Sequence, residues 1–168
     1  MDRKTGQADC QQRVQEQMFC ELLKRTKPAV AAETECGSEA EKASFRFLAD
    51  KAKEEGMVKL PSGLMYRVLE KGTGKKHPGK HTKCLVNYRG ALPDGREFDS
   101  SYSRNEPLEV APNQVVPGWT EAMQLMVEGD KWELYIPPNL GYGDEGAGED
   151  IPGGSALVFE MEMLKVEK

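Results

Sequence analysis

The sequence predicts an α+β domain in which an antiparallel sheet of roughly five to six strands curls around one short α-helix, preceded by an N-terminal helical extension. Three observations predict it. From Pro61 onward, short apolar runs are separated by Gly, Pro, Asn and Asp, the texture of strands joined by turns. Near the C-terminus, Leu157, Phe159, Met161 and Met163 alternate with Val158, Glu160, Glu162 and Leu164, which suits a sheet with one covered and one wet face. A single helical period interrupts the strands, and no strand-helix-strand alternation suggests a parallel sheet.

The elements follow in order. In Gln11 to Thr26, Val14, Met18 and Leu22 recur at i, i+4, i+8 beside Phe19 and Leu23, a short amphipathic helix that stops before Pro28. Lys27 to Gly37 has no period and reads as a linker. A firmer helix is expected over about 39–55, because Ser38 and Glu41 match a capping box, Phe45, Leu48, Ala49 and Ala52 form an apolar stripe, and Gly56 supplies a stop. The expected strands are Leu64 to Glu70, Lys83 to Ala91, Arg96 to Ser100, Lys131 to Ile136 and Ala156 to Val166. The central helix carries Trp119, Ala122, Met123 and Met126, after Pro117-Gly118 and before Gly129-Asp130. The domain division expected is 1–37 as an extension, 38–61 as a helix leading inward, and 62–168 as the main domain.

A chain of 168 residues holds one such domain and a modest extension. Its net charge of -5 comes from the C-terminal part: residues 1–60 hold 11 basic and 11 acidic side chains, and 61–168 hold 12 and 17. An acidic domain argues against nucleic-acid partners, and Lys71 to Lys83, rich in lysine, reads as a solvated loop. No run approaches the length of about 18 apolar residues that spans a bilayer, and Met1 to Gln17 is too polar for a secretory signal. Cys10, Cys20, Cys36 and Cys84 form no C-x-x-C pair, so reduced thiols and a cytoplasmic setting are expected.

The familiar catalytic constellations are missing. His77 and His81 lie in the lysine-rich loop with no G-x-S-x-G elbow, there is no Walker loop, and Asp144 to Asp150 lacks the order of a calcium loop. No cofactor or metal is expected. What remains is a supply of aromatic and branched residues beside turn signals: Tyr88, Phe98, Val115 to Trp119, Tyr142, Ile151 and Phe159. Any one of them alone suits a core.

Together they carry a resemblance. Val86-Asn87-Tyr88-Arg89-Gly90, Gly95-Arg96-Glu97-Phe98-Asp99-Ser100-Ser101, Val115 to Trp119, Gly141-Tyr142-Gly143, Ile151-Pro152 and Leu157-Val158-Phe159-Glu160 resemble, in order and spacing, the FKBP-type peptidyl-prolyl cis-trans isomerases. Leu60-Pro61-Ser62-Gly63-Leu64 after a charged helix is most similar to the macrophage infectivity potentiator (Mip-like) subgroup. The resemblance covers nearly all of 62–168.

It implies an isomerase acting on X-Pro bonds of client proteins, with protein folding as its setting. The alternative it leaves open is a weakly active or inactive proline-peptide binding module or chaperone. Trp119 would seat the proline ring; Phe98, Asp99 and Tyr142 would complete the catalytic set; Tyr88, Leu108, Val110, Val115, Val116, Ile151 and Phe159 would line the substrate cavity. Tyr142 would donate its hydroxyl, and Val116 its N–H, to a substrate carbonyl. Phe98 and Asp99 are neighbours in a strand, so both reach one cavity only across an irregularity, which is predicted near Asp99. Leu108 stands where many members carry an aromatic, and the loop Asp144 to Asp150, with Ala147 and Asp150, lacks contacts that favour rapamycin-type macrolides. Their binding is expected to survive, weakened. The resemblance also implies a homodimer through the N-terminal helices.

Overall fold

An amphipathic sheet with apolar residues at every second position must bury one face, and here a single helix covers it. The computed structural model describes residues 38–167, and the helix expected within Gln11 to Thr26 lies outside them. Seven strands form one antiparallel sheet: β1 (Met57–Lys59), β2 (Met65–Glu70), β3 (Cys84–Ala91), β4 (Glu97–Ser100), β5 (Leu108–Val110), β6 (Lys131–Ile136) and β7 (Leu157–Val166). Their order is β1-β2-β6-β7-β3-β4, with β5 also pairing with β3. The five strands expected from sequence are found with ends within one residue. The two additions, β1 and β5, have three residues each, too short to show a period.

Long β7 is the spine. It pairs with β6 on one side and with β3 over Cys84 to Ala91 on the other. The far edge of β3 is shared: β4 pairs near Arg89 to Ala91, and β5 pairs near Cys84 to Val86. Between those two pieces the chain makes a one-turn helix, α2 (Ser101–Arg104), which sequence periodicity does not show. Ser100 caps it by accepting from the Ser103 N–H, and Asn105 closes it in the left-handed region at φ 51°.

The central helix, α3 (Pro117–Leu125), opens with proline at its first position and buries Trp119, Ala122 and Met123 against the sheet. Met126, at its C-cap, is fully buried. This stripe meets Leu134, Ile136, Leu157, Phe159, Met161, Met163, Cys84 and Val86 in the main core.

The other sheet face carries a second, smaller core under α1 (Glu39–Lys51). Ser38 caps α1, its Oγ accepting from the Glu41 N–H at 3.2 Å, while the reciprocal bond of the expected capping box, from the Ser38 N–H to the Glu41 carboxylate, is not found among the described residues. The helix ends four residues before the expected limit, because Lys53 and Glu54 turn back on Asp50 and Lys51 to feed β1. Its buried face is also rotated by one position from the expected stripe: Ser44 and Leu48 are buried and Phe47 packs with them, while Phe45 is only half-buried and Ala49 is exposed. Leu48 and Phe47 lie among Met65, Tyr135, Ala156 and Val158, so the sheet's outer face selects the helix face that docks.

Candidate functional site

The site is built where the N-terminal end of α3 meets β3, β4 and β7. Pro117 starts the helix, which delivers Trp119 on its first turn with only 4% exposure. The Tyr88 ring meets the indole edge-on, with centroids 5.1 Å apart and planes at 76°. Phe159 also makes a T-shaped contact with the indole, at 5.0 Å and 82°. Phe98 continues the series against Phe159 at 5.5 Å and 86°. Each such pair contributes about 0.5–1.5 kcal/mol beyond its buried area, so four rings hold one another in fixed orientation. Gly90, between Tyr88 and the end of β3, makes this approach feasible: a Cβ there would lie 2.6 Å from the Phe159 ring and 2.7 Å from Phe98.

The irregularity predicted near Asp99 is present. Arg89 pairs with Ser100 and Gly90 with Asp99, yet Ala91 pairs with Glu97, leaving Phe98 as the extra residue of a bulge. Consecutive side chains thereby join one cluster, Phe98 against Phe159 and Asp99 against Tyr88. The Tyr88 hydroxyl donates to Asp99 Oδ2 at 2.5 Å. Arg104, on α2, donates from Nη1 to Asp99 Oδ1 and from Nη2 to the Tyr88 hydroxyl, the latter at 2.7 Å. Desolvation pushes the Asp99 carboxyl up, but hydrogen bonds from Tyr88 and Arg104, with the Arg104 charge, hold it below its ordinary value. Desolvation and the bond to Asp99 raise the Tyr88 phenol. The carboxylate and the neutral phenol are thus both maintained near neutrality.

Sequence reasoning missed Arg104, which carries no signal beyond its place five residues after Asp99. It also missed the fully buried Ser101, whose Oγ accepts from the Tyr88 N–H at 2.9 Å and anchors α2 to β3.

The other expected residues differ in burial. Ile151 is buried at 5% exposure, while Leu108, Val115 and Val116 are partly buried against the same core. Val110 is buried opposite Cys84 in the β3–β5 ladder, within the main core. No hydrogen bond from the Val116 N–H is found among the described residues. Tyr142 stands apart from the aromatic cluster at 40% exposure. The acidic loop joining it to Ile151 is closed by paired bonds between Ala147 and Ile151, at 2.9 and 3.1 Å, and by the Gly146 N–H to the Tyr142 carbonyl.

Comparison with known proteins bears on the chain as a whole. Residues 74–164 match the family described as FKBP-type peptidyl-prolyl cis-trans isomerase, and residues 3–68 match the domain amino terminal to it. The chain is 47% identical over 121 residues to the macrophage infectivity potentiator of Trypanosoma cruzi, covering 72% of this chain and 62% of that protein. It is 48% identical to the FKBP-type 22 kDa peptidyl-prolyl cis-trans isomerase of Escherichia coli K12, covering 72% of this chain and 58% of that one. It therefore spans less than two thirds of the length of these relatives. Among solved structures, FkpA from Escherichia coli aligns with a TM-score of 0.74 at 34% identity, covering 99% of this chain and 74% of that one. A peptidyl-prolyl cis-trans isomerase from Pseudomonas syringae aligns at 0.72 and 39% identity, covering 80% and 99%.

Proposed function

Since the chain belongs to the FKBP-type peptidyl-prolyl cis-trans isomerase family, we propose that it accelerates rotation about X-Pro bonds in client proteins, through the cavity floored by Trp119. The observation that carries this reading is the buried indole in T-shaped contact with Tyr88 and Phe159, with Asp99 held ionised against the Tyr88 hydroxyl.

Rotation of a peptide bond meets a barrier of about 18–20 kcal/mol, because resonance gives C–N double-bond character. No bond is broken, so neither nucleophile nor general base is required. A twisted amide has lost part of its resonance and carbonyl polarity, and an apolar, water-excluding cavity favours it over the planar ground state. A thousandfold acceleration takes only about 4 kcal/mol of such preference. Trp119 supports the proline ring, while Tyr88, Phe98, Phe159, Ile151, Val115 and Val116 exclude water. The Tyr142 hydroxyl and Val116 N–H donate to the carbonyls flanking the proline. Leu108 widens the rim, and the acidic loop offers macrolides of the rapamycin type fewer apolar contacts, so these ligands bind in the same cavity with reduced affinity. Support for a homodimer comes from the match of residues 3–68 to the family's amino-terminal domain.

The isomerisation rate of a proline tetrapeptide tests the reading. The intact protein should accelerate it, rapamycin should suppress that activity, and Tyr142→Phe and Asp99→Val should each lower kcat/KM by about tenfold or more. A folded sample giving no rate above the uncatalysed one leaves the second reading, a proline-peptide binding module, which the departures at Leu108 and Asp144 to Asp150 favour.

A further inference from the structure

Helix α1 lies on the outer face of the sheet, in a different core from the aromatic cluster, yet it reaches the loop that carries Ile151. Ser44, in the middle of α1, is 3% exposed. Its hydroxyl donates to the Gly154 carbonyl at 2.9 Å and accepts from the Ala156 N–H at 2.7 Å. These two groups lie on either side of Ser155, just before β7, whose ladder with β6 runs from the pair Ile136 and Leu157. Ala156 is fully buried and lies one residue before that ladder. Without Ser44 its N–H would be a buried donor with no partner, a costly condition.

The fit around this contact is close. Gly154 has φ +76°, and a Cβ there would sit 3.0 Å from both the Glu41 Cβ and the Ser38 Oγ, so the first turns of α1 rest on the Gly154 backbone. On its other side, the Gly154 N–H donates to the Gly143 carbonyl at 2.9 Å. That bond joins the two arms of the loop, one beginning after Tyr142 and the other ending after Ile151. Ser44 therefore grips the loop at its closing point, three residues from Ile151 along one arm and one bond from the neighbour of Tyr142 along the other.

We infer that Ser44 is a positioning residue for the pocket: its hydroxyl holds the stem of the loop 143–156, and with it the register of Ile151 and Tyr142. The inference rests on the isomerase reading for its catalytic consequence and on geometry alone for its effect on the loop. Loosening the stem lowers the fraction of molecules whose pocket is formed before substrate arrives. Apparent affinity falls by that fraction, so the effect is carried by KM. A purely structural role would instead reduce the amount of folded enzyme, lowering apparent kcat and leaving KM alone.

The test uses the full chain and two variants on the same helix face. Ser44→Ala removes the hydroxyl, and Leu48→Ala weakens the docking of α1 while leaving both hydrogen bonds in place. In Ser44→Ala, amides of 143–156 should exchange about tenfold faster or more while those of β3 and β6 remain protected. Its KM for a proline tetrapeptide should rise about three- to tenfold at nearly unchanged kcat. Leu48→Ala, compared well below its midpoint, should keep wild-type KM and loop exchange. Wild-type KM and exchange in Ser44→Ala, or equal effects in both variants, would overturn the inference. The unmodified protein supplies an arm that needs no variant to fold: its Ala156 amide should exchange as slowly as the β7 amides, and fast exchange there overturns the inference too. An inactive wild type overturns the isomerase reading, and the exchange measurements then decide the role of Ser44.

Discussion

Asp99, Tyr88 and Arg104 share three hydrogen bonds beside the aromatic cluster, and their protonation states are interdependent. The Asp99 carboxyl is depressed in the fold, so its stabilising contribution is complete above its unfolded value and disappears as pH falls through the folded one. The rate should therefore be flat across neutral pH and fall only below the ordinary carboxylate range. Arg104→Ala removes the charge and two of the donated bonds, leaving desolvation less opposed. A kcat/KM profile of that variant should show its acid limb moved to higher pH, and an unmoved limb would exclude Arg104 from this role. Cys84 is fully buried, and desolvation pushes its thiol up to about 11. Peptide mapping after alkylation near pH 8 should find Cys84 unmodified in the native protein and labelled once it is unfolded. Neither Arg104 nor Ser101 was legible in the chain, because an arginine or serine in a polar stretch has the same local pattern whether it faces solvent or a buried partner.

At the level of elements, the bulge between β3 and β4 and the small residue opposite it act together. The bulge turns Phe98 and Asp99 to the same side, and Gly90 leaves room for the rings of Phe98 and Phe159. Gly90→Val would drive a branched side chain into both rings. The expected outcome is a loss of kcat/KM of about tenfold or more, with destabilisation of about 1–3 kcal/mol by denaturant titration. Near-normal kinetics would show that the ring cluster tolerates expansion and is not the organised floor of the site. The bulge itself was legible, since adjacent residues assigned to one cavity cannot both face it from a regular strand. The rotation of α1 by one position was not. Phe45, Leu48, Ala49 and Ala52 form the more apolar stripe, but the outer sheet face offers Tyr135, Met65 and a loop stem with an N–H to satisfy, and these select Ser44, Phe47 and Leu48.

For the whole molecule, the proposed homodimer is a property of the full chain. Sedimentation of residues 1–168 should give twice the chain mass and that of residues 38–168 a monomer, whereas equal monomer masses would remove the dimer from the proposal. Composition, turn chemistry and alternation determined by themselves that this chain makes an antiparallel sheet over one helix. Trp119, Tyr88, Phe98 and Phe159 could be assembled into one cavity only through their resemblance to a family. Periodicity is a local property, set by neighbours within a turn or two, and it identifies what each element buries. The tertiary structure alone decided which polar groups meet across long separations: Ser44 with Gly154 and Ala156, 110 and 112 residues apart, and Tyr88 with Arg104, both directly and through their shared partner Asp99. Such contacts are selected by the need to satisfy a buried donor or charge where elements come together, and that need exists only once they have packed.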